Sequence, residues 1–536
     1  MFDTDRKFWG WGNSSCPFPL PMLQRVRALL GAQFGMPLPE PRPVPDLGTL
    51  RMPAPSLAVP APFAEFVTVE RYHRAAHTYG KAFRDVVRAL EGDFDSAPDL
   101  VAYPRDEDDV VRLLHWANEA HVAVIPFGGG SSVVGGVEAD RETRARFAGV
   151  LSLDLCRLDQ VLAIDRTSRC VRVQGGTYGP ALEAQLKPHG YTLRHFPQSF
   201  EFSTVGGWIA TRAGGHYATL YTHIDDFVES VRMVTPQGVL QTRRLPGNGA
   251  GPQEDRLVLG SEGAFGVITE AWLRVQDVPR CRAGCTVHFA TFEQGAAACR
   301  ALAQSGLFPA NARLIERDEA LFMGAGDGTH HMLVLGFESA SLPQEDKLRA
   351  ALALCAANGG QAKPPVIRND DSAVSDDGAD PWKQSFLRAP YLRDEIARMG
   401  FICETFETCT TWSNFPAFDA AVRAAAQGAL QEHCGGGLVT CRFTHLYPDG
   451  PAPYYTIIAP AQAGGQLAQW DAIKQAVSRV LIAEGGTITH HHAVGKDHRP
   501  YYLTQNAPLS LAMLQAAKRA VDPNGIMNPG TLLPPA

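Results

Sequence analysis

The chain has 536 residues, too many for a single compact core, which indicates two to four structural units. Its 45% hydrophobic and 20% charged residues are typical of a globular protein, and a net charge of −7 argues against a general nucleic-acid binder. Eleven irregularly spaced cysteines indicate free thiols in a reducing compartment. No apolar run reaches the ~18–20 residues of a membrane span and no secretion signal is evident. We therefore expect a cytoplasmic protein, with peripheral membrane association left open.

The first 96 residues are interpreted as an N-terminal extension. The aromatic patch Phe8-Trp9-Gly10-Trp11 precedes a predicted helix around Leu23 to Leu30. From Met36 to Pro62 prolines recur, and this stretch should be extended because proline removes backbone donors and disfavours helix. A strap packed on its own protein is favoured, and a proline-rich partner-binding motif is the alternative.

The second region begins near Ala97 and has a nucleotide-binding layout in outline. A strand from Leu100 to Tyr103, a helix from Arg105 to Ala120 with acids in its first turn, and a strand from Val122 to Ile125 lead into a triple-glycine loop. The loop fails the dinucleotide fingerprint, because Val133 stands at the third glycine position and no helix is evident after it. A nicotinamide-binding Rossmann domain remains as an alternative.

Three loops rich in glycine, serine and threonine follow one another in this region. Glycine keeps side chains away from a bound group, and successive N–H groups in such a turn form an anion-binding nest. A bare turn would explain the first loop alone, but three loops fit a long cofactor that is contacted at many points. The loops are Pro126-Phe-Gly-Gly-Gly-Ser-Ser132, Gln198 to Gly215, and Gly260 to Glu270.

From about residue 280 to 485, strand-like and helical segments alternate. Apolar residues from Leu467 to Leu481 recur at helical spacing and indicate core packing, while Asn369 to Asp380 should be a solvated loop. His490-His491-His492 suggests a metal, but neighbours in a strand point to opposite faces and no nearby acid or cysteine completes a ligand set. Cys281 and Cys285 lack nearby histidines. No metal site is therefore expected.

In order along the chain, these motifs resemble those of the flavoproteins with a vanillyl-alcohol-oxidase-type FAD domain. Within that superfamily the sequence is most similar to the alkyldihydroxyacetonephosphate synthase family, over essentially the whole chain. The motifs that carry this resemblance are Trp9-Gly-Trp-Gly12, the first glycine loop, Glu201-Phe-Ser-Thr-Val-Gly-Gly-Trp208, Gly260-Ser-Glu-Gly263, Pro390-Tyr-Leu-Arg-Asp394, Phe406-Glu-Thr408, His490-His-His-Ala-Val-Gly-Lys496 and Asn528-Pro-Gly530.

The resemblance implies an α+β fold with several parts. These are a two-subdomain FAD-binding domain of the PCMH type, an α+β cap domain, and an N-terminal helical and proline-rich extension. The expected boundaries are 1–96 for the extension, 97–279 for the FAD-binding domain, 280–485 for the cap, and 486–536 for a C-terminal segment that returns to the flavin.

The resemblance also implies FAD as the cofactor, expected to be bound non-covalently. The family usually has aspartate where this chain has Gln198, so that contact lacks a charge here. The residues expected to surround the FAD are Pro126, Phe127, Gly128, Gly129, Gly130, Ser131, Ser132, Gln198, Ser199, Phe200, Glu201, Phe202, Ser203, Thr204, Thr211, Arg212, Ala213, Gly214, Glu262, Gly263, Ala264, Phe265, Gly266, Val267 and Ile268.

The implied activity is a transfer without net redox change. With the flavin as nucleophile, the fatty acid of acyl-dihydroxyacetone phosphate is exchanged for a fatty alcohol. Tyr454 matches the family's proton-transfer residue, and Arg393 and Arg313 match two substrate-binding arginines. The alternatives are a tyrosine packed in the cap sheet and an arginine in a surface salt bridge. His490 to His492 are expected to line the active site as catalytic groups, at least one of them structural.

The expected partner is a lipid-like small molecule, without nucleic acid, and a homodimer is expected. The alternative function is an FAD-linked oxidase or dehydrogenase of a 2-hydroxy acid or an aromatic alcohol, because the superfamily hosts many such enzymes. A flavin-binding protein without turnover is a third hypothesis.

Overall fold

The structure is a computed structural model that describes residues 5–221, 223–369 and 381–534, with the backbone alone for 381–386. The acidic stretch predicted to be a solvated loop lies, apart from Asn369, outside the described residues. Within the described part of the chain, no helix is long and apolar enough to cross a membrane.

The N-terminal extension contains the predicted helix and the predicted strap. Helix α1 covers Leu20–Phe34 and stops at Gly35, which takes the left-handed conformation that glycine tolerates best. The proline-rich stretch after it is extended apart from short 3₁₀ turns, as the missing N–H donors predict. The elements that follow are β1 (Val67–Thr68), α2 (Arg71–Ala76) and α3 (Phe83–Leu90).

The central part of the chain begins with a four-stranded sheet in the order β1-β2-β4-β3. Strands β2, β4 and β3 are parallel and almost wholly buried, which explains their continuous apolar sequences. The predicted second helix is present, and the Asp106 side chain caps it by accepting from the N–H of Asp109. The elements are β2 (Leu100–Ala102), α4 (Glu107–Glu119), β3 (Ala123–Phe127), α5 (Arg141–Arg146) and β4 (Val150–Asp154). The prediction of no helix after the glycine loop is wrong for the short α5.

A second, five-stranded antiparallel sheet follows in the order β5-β6-β10-β8-β9. A separate two-stranded pair joins β7 and β11. The elements are β5 (Val161–Asp165), β6 (Cys170–Gln174), α6 (Gly179–Leu186), β7 (Tyr191–Thr192), α7 (Val205–Thr211), α8 (Ala218–Tyr221), α9 (Ile224–Phe227), β8 (Val228–Thr235), β9 (Gly238–Gln241), α10 (Asp255–Val258), β10 (Val267–Arg274) and β11 (Gln276–Asp277).

The next part is an antiparallel sheet in the order β15-β12-β14-β13-β18-β19-β17, with β16 paired to β12. Its apolar core includes buried side chains of the helices packed on one face. The elements are β12 (Cys281–Phe289), α11 (Phe292–Ala303), β13 (Asn311–Ile315), α12 (Arg317–Met323), β14 (His331–Ser339), α13 (Glu345–Ala357), β15 (Gln361–Ala362), β16 (Val366–Asn369), α14 (Pro381–Arg398), β17 (Phe401–Glu407), α15 (Phe415–Cys434), β18 (Leu438–Leu446), β19 (Pro451–Pro460) and α16 (Gln466–Ala483).

The C-terminal segment runs back to the first sheet. It contains the helices α17 (Arg499–Gln505) and α18 (Pro508–Val521). After them, Met527 pairs with Val124 of β3, and the Asn528 side chain donates to the carbonyls of Gly136 and Glu262. The end of the chain therefore ties the segment after the first glycine-rich loop to the third loop.

Candidate active site

A cavity of about 290 Å³ lies between the glycine-rich loops and the β17–β19 side of the large sheet. Nineteen of the residues predicted to surround the cofactor line it: Pro126, Phe127, Gly128, Gly129, Gly130, Ser131, Ser132, Gln198, Ser199, Ser203, Thr204, Thr211, Ala213, Gly214, Glu262, Gly263, Gly266, Val267 and Ile268. All three loops therefore meet at one cavity, as a single long cofactor requires.

The other predicted cofactor residues are not among those that line the cavity. They are Phe200, Glu201, Phe202, Arg212, Ala264 and Phe265. Arg212 instead pairs with the Asp225 carboxylate at 2.7 Å, and the Phe200 ring stacks on Trp208. Their predicted contact with the cofactor therefore remains a prediction.

Gly129 shows why the first loop cannot carry a side chain. A Cβ atom at this position would lie 1.7 Å from the Phe202 carbonyl oxygen. The first loop is therefore held directly against the second by backbone contact. Close packing of two glycine-rich loops beside an open cavity fits the approach of an FAD, since backbone groups face the cofactor without intervening side chains.

The far end of the cavity is apolar. Its walls come from helices α1, α12 and α14 and from strands β18 and β19. The residues are Val26, Phe322, Leu392, Ile396, Leu438 and Ile458, and all of them belong to one apolar cluster. The cavity thus joins the cofactor loops to an apolar channel.

Tyr454 lines the cavity between these two ends. It lies on β19, and Tyr455 points to the opposite face, where its hydroxyl donates to Asp419 at 2.9 Å. This alternation was predicted. Burial raises the pKa of Tyr454 above its ordinary value, while the neighbouring Arg442 guanidinium acts in the opposite direction. The phenol is therefore protonated near neutral pH.

Arg393 also lines the cavity, from helix α14. One of its amino groups donates to the Lys81 carbonyl and lies 3.4 Å from the Asp394 carboxylate. Its Nε is buried without a hydrogen-bond partner among the described residues. The guanidinium is thus fixed on one side and has a donor left for an anion.

Arg313 lies on β13 and is fully buried, with an amino group 3.4 Å from the His216 carbonyl. It is not among the residues that line the cavity. Its predicted contact with substrate therefore remains a prediction.

The three consecutive histidines form a bend, so the prediction of a strand is wrong. The cause is Glu407, whose buried carboxylate accepts the backbone N–H groups of all three at 2.7–2.9 Å. His491 and His492 line the cavity, and His490 lies behind them. Burial lowers the pKa of His490 and of His492 well below the ordinary value, so both rings are neutral near pH 7.

A second carboxylate, Glu262, holds the same histidine segment against the cofactor loops. It accepts from the N–H groups of Val494 and Gly495 at 2.8 and 2.7 Å. Burial raises the pKa of Glu262 to about 7, although these two donors act in the opposite direction. The histidine segment is therefore anchored from both sides, by Glu407 of the large sheet and by Glu262 of the third loop.

Sequence reasoning missed several residues of the site. Arg442 beside Tyr454 and the neighbours of His490 belong to no motif, and Trp11 belongs to the motif Trp9-Gly-Trp-Gly12, to which no role in the site was assigned. Those neighbours are His223, His445 and Tyr447. The motif Trp9-Gly-Trp-Gly12 is the signal that could have pointed to Trp11 as a residue of the site.

Comparison with known proteins places this geometry in a family. The family model for an FAD binding domain matches residues 98–243, and the model for the C-terminal domain of FAD linked oxidases matches residues 278–532. Alkyldihydroxyacetonephosphate synthase of Trypanosoma brucei brucei is 30% identical over 485 residues, which cover 87% of this chain and 78% of that protein. The synthase of Caenorhabditis elegans is 31% identical over 489 residues, which cover 86% of this chain and 80% of that protein. The chain belongs to the alkyldihydroxyacetonephosphate synthase family.

This family membership confirms the resemblance seen in the sequence, and the two matching models make FAD the cofactor. Solved structures agree on the fold. A structure of alkyldihydroxyacetonephosphate synthase superposes with a TM-score of 0.80 at 24% identity and covers 98% of both chains. A structure of 4-ethylphenol oxidase from Gulosibacter chungangensis superposes with a TM-score of 0.65 at 16% identity. The match covers 88% of this chain and 95% of the other.

Proposed function

We propose that this enzyme exchanges the acyl group of acyl-dihydroxyacetone phosphate for a fatty alcohol, the step that forms an ether lipid. The observation that carries the proposal is the shape of the cavity. It connects the cofactor loops, a polar centre with a free arginine donor, and an apolar channel in one continuous space. A lipid with a phosphorylated head group needs these three features together.

The polar centre suits the phosphate of the substrate. The unpaired Nε of Arg393 supplies a charged donor, and a guanidinium binds phosphate oxygens with matching geometry. His491 and His492 also line the cavity and add imidazole groups. We assign Arg393 to the phosphate and place the histidines around the reacting end of the substrate.

Tyr454 is assigned to proton transfer at C1. Bound FAD supplies a nucleophilic flavin for that carbon, as in the family. The phenol is protonated at rest, so its proton must first pass to a neutral base, for which the adjacent His492 imidazole is assigned, and Arg442 stabilises the phenolate that results. Arg442 is itself held by the Glu319 carboxylate, with which it forms a buried ion pair.

The apolar channel is assigned to the alkyl chain of the substrate. Its side chains are aliphatic or aromatic, so burying a chain there removes apolar surface from water. The outgoing fatty acid and the incoming fatty alcohol differ in their polar ends and share the same tail. One channel therefore serves both.

The domain boundaries belong to the same proposal. We assign FAD binding to residues 97–279, the cap to residues 280–485 and a flavin-contacting segment to residues 486–536. The contact of Met527 with β3 supports the last assignment. We further propose non-covalent FAD, a homodimer, and a cytoplasmic enzyme that meets its lipid substrates at a membrane surface.

The test is an exchange assay on purified protein loaded with FAD. Labelled fatty alcohol should enter acyl-dihydroxyacetone phosphate with release of fatty acid, and the flavin should remain largely oxidised under anaerobic conditions. An FAD-linked oxidase or dehydrogenase would behave differently. Its flavin would bleach when a 2-hydroxy acid or an aromatic alcohol is added without oxygen, and that result without exchange would overturn the proposal.

A further inference from the structure

A cluster of histidines lies at the edge of the cavity and has no assigned role as a group. His445, His490 and His491 each offer one ring nitrogen, and these three atoms lie within 4.8 Å of one another. The sequence predicted no metal here because it placed the histidines in a strand, but in the bend that they form we propose that the three histidines bind one divalent transition-metal ion of the zinc class. The proposal concerns a binding site and does not depend on the reaction proposed above.

The spacing is close to that of a formed metal site. Two Zn–N bonds of about 2.0–2.1 Å at a tetrahedral angle put their nitrogens roughly 3.3 Å apart. The Nδ1 atoms of His490 and His491 are already 3.0 Å apart. The rings need to move by only about an ångström to enclose an ion, a shift within reach of side-chain rotation.

His445 and His490 have a hydrogen-bond partner on Nε2, whereas the partner of His491 is on Nδ1. The Glu407 carboxylate lies 3.2 Å from Nδ1 of His491, the nitrogen that also faces His490, so this carboxylate would lie beside a bound ion. The Gly215 carbonyl lies 3.1 Å from Nε2 of His445, and the Tyr447 hydroxyl 2.8 Å from Nε2 of His490. Histidines that bind metals typically donate their second N–H to such a group, which orients the ring and fixes its tautomer.

The surroundings suit a cation. The buried Glu407 carboxylate supplies a negative charge beside the Nδ1 atoms of His490 and His491, which offsets part of the charge of a dication. Three imidazoles favour zinc, copper, nickel or iron over magnesium and calcium, which prefer oxygen ligands. Three protein ligands also leave a fourth position for water or a substrate oxygen, and His491 borders the cavity.

The experiment measures metal in tag-free, FAD-loaded protein. The protein is stripped with a chelator, dialysed, and titrated with ZnCl2 while bound zinc is counted by mass spectrometry. One Zn²⁺ per chain is expected, and MgCl2 should not compete. His445→Gln and His491→Gln should each weaken binding at least roughly tenfold, and Tyr447→Phe should weaken it less.

His492→Gln is the matched control, because His492 belongs to the same bend and donates its backbone N–H to the same carboxylate. This variant should keep one Zn²⁺ per chain. The flavin spectrum and thermal unfolding of every variant show whether it is folded. No zinc uptake by the wild type overturns the proposal, and so does equal uptake by folded His445→Gln and His491→Gln.

Discussion

The guanidinium of Arg442 lies 3.7 Å from the centre of the Tyr454 ring, and both side chains are buried. The arginine cannot leave this position easily, because it is paired with Glu319, which also accepts from the Thr440 hydroxyl. A fixed cation over a phenol stabilises the phenolate more than the phenol. This pair therefore gives the cavity one group that can both give and take a proton.

Replacing Tyr454 by phenylalanine should abolish most of the exchange while FAD stays bound. Loss of a positioned proton-transfer group typically costs a factor of about 10²–10⁴ in rate. The measurement is kcat for label exchange, with flavin absorbance as the check on cofactor content.

Tyr455→Phe is the control for that substitution, since the Tyr455 hydroxyl bonds Asp419 on the far side of the sheet. It should cost about 1 kcal/mol in stability and leave kcat near the wild-type value. Undiminished exchange by Tyr454→Phe would remove the tyrosine from the mechanism.

Arg393→Ala should raise KM for the phosphorylated substrate by roughly 10–100-fold, because a hydrogen bond to a charged group is worth about 1.5–3 kcal/mol. The measurement is KM for substrates with and without the phosphate. The difference between the KM values of these two substrates should be smaller in the variant than in the wild type. Arg388→Ala is the control on the same helix, since that side chain is exposed and outside the cavity. An unchanged KM in Arg393→Ala would count against phosphate binding.

Gly129→Ala should lose FAD. The new Cβ would meet the Phe202 carbonyl at 1.7 Å, so the first two loops would have to separate. Cofactor content per chain, read from the absorption spectrum, checks this. Gly428→Ala is the control, because a Cβ on this α15 residue meets nothing within 4 Å. It should keep its FAD and gain about 0.5–1 kcal/mol in stability. A fully loaded Gly129→Ala protein would contradict the loop assignment.

A larger side chain in the apolar channel should shorten the accepted alkyl chain. Leu438→Trp fills part of the space that a tail would occupy. Long-chain fatty alcohols should lose kcat/KM by roughly tenfold or more, since about 0.8 kcal/mol is lost for each buried methylene that no longer fits. Short-chain alcohols should be affected less. The same loss for every chain length would show that the tail lies elsewhere.

The loss of folding stability at acid pH should depend on Glu138. This carboxylate is buried, which raises its pKa, but the guanidinium groups of Arg84 and Arg88 at 2.9 and 2.7 Å lower it to about 2. A depressed carboxyl pKa adds stability above its unfolded value of about 4.5, and this contribution is lost as the pH falls from there towards 2.

Glu138→Gln should therefore be less stable than the wild type by about 1.5–3 kcal/mol near pH 7, because Arg84 and Arg88 lose a charged hydrogen-bond partner and keep Asp497 and Asp85 as partners. The difference should narrow near pH 3. Urea unfolding at both pH values measures it. Glu65→Gln, which breaks an exposed pair with Arg105, should change little at either pH. If the stability difference between Glu138→Gln and the wild type does not vary with pH, the lowered pKa of Glu138 is refuted.

The sequence alone determined the parts of this protein that follow from local backbone chemistry. Glycine spacing located three loops that line one cavity, the prolines predicted an extended strap, and the alternation in β19 separated Tyr454 from Tyr455. Each depends on a few neighbouring residues, so a linear pattern is enough. The ordered set of motifs also identified the family.

Only the tertiary structure decided the surroundings of the reacting groups. Arg442 reaches Tyr454 because β18 and β19 pair in a register that places these two residues side by side. The histidines leave the predicted strand because the Glu407 carboxylate, 83 residues away, accepts three consecutive backbone N–H groups. No local pattern contains that information, since a buried charge and its donors are brought together by packing. The chemistry of the site therefore depends on contacts between distant parts of the chain.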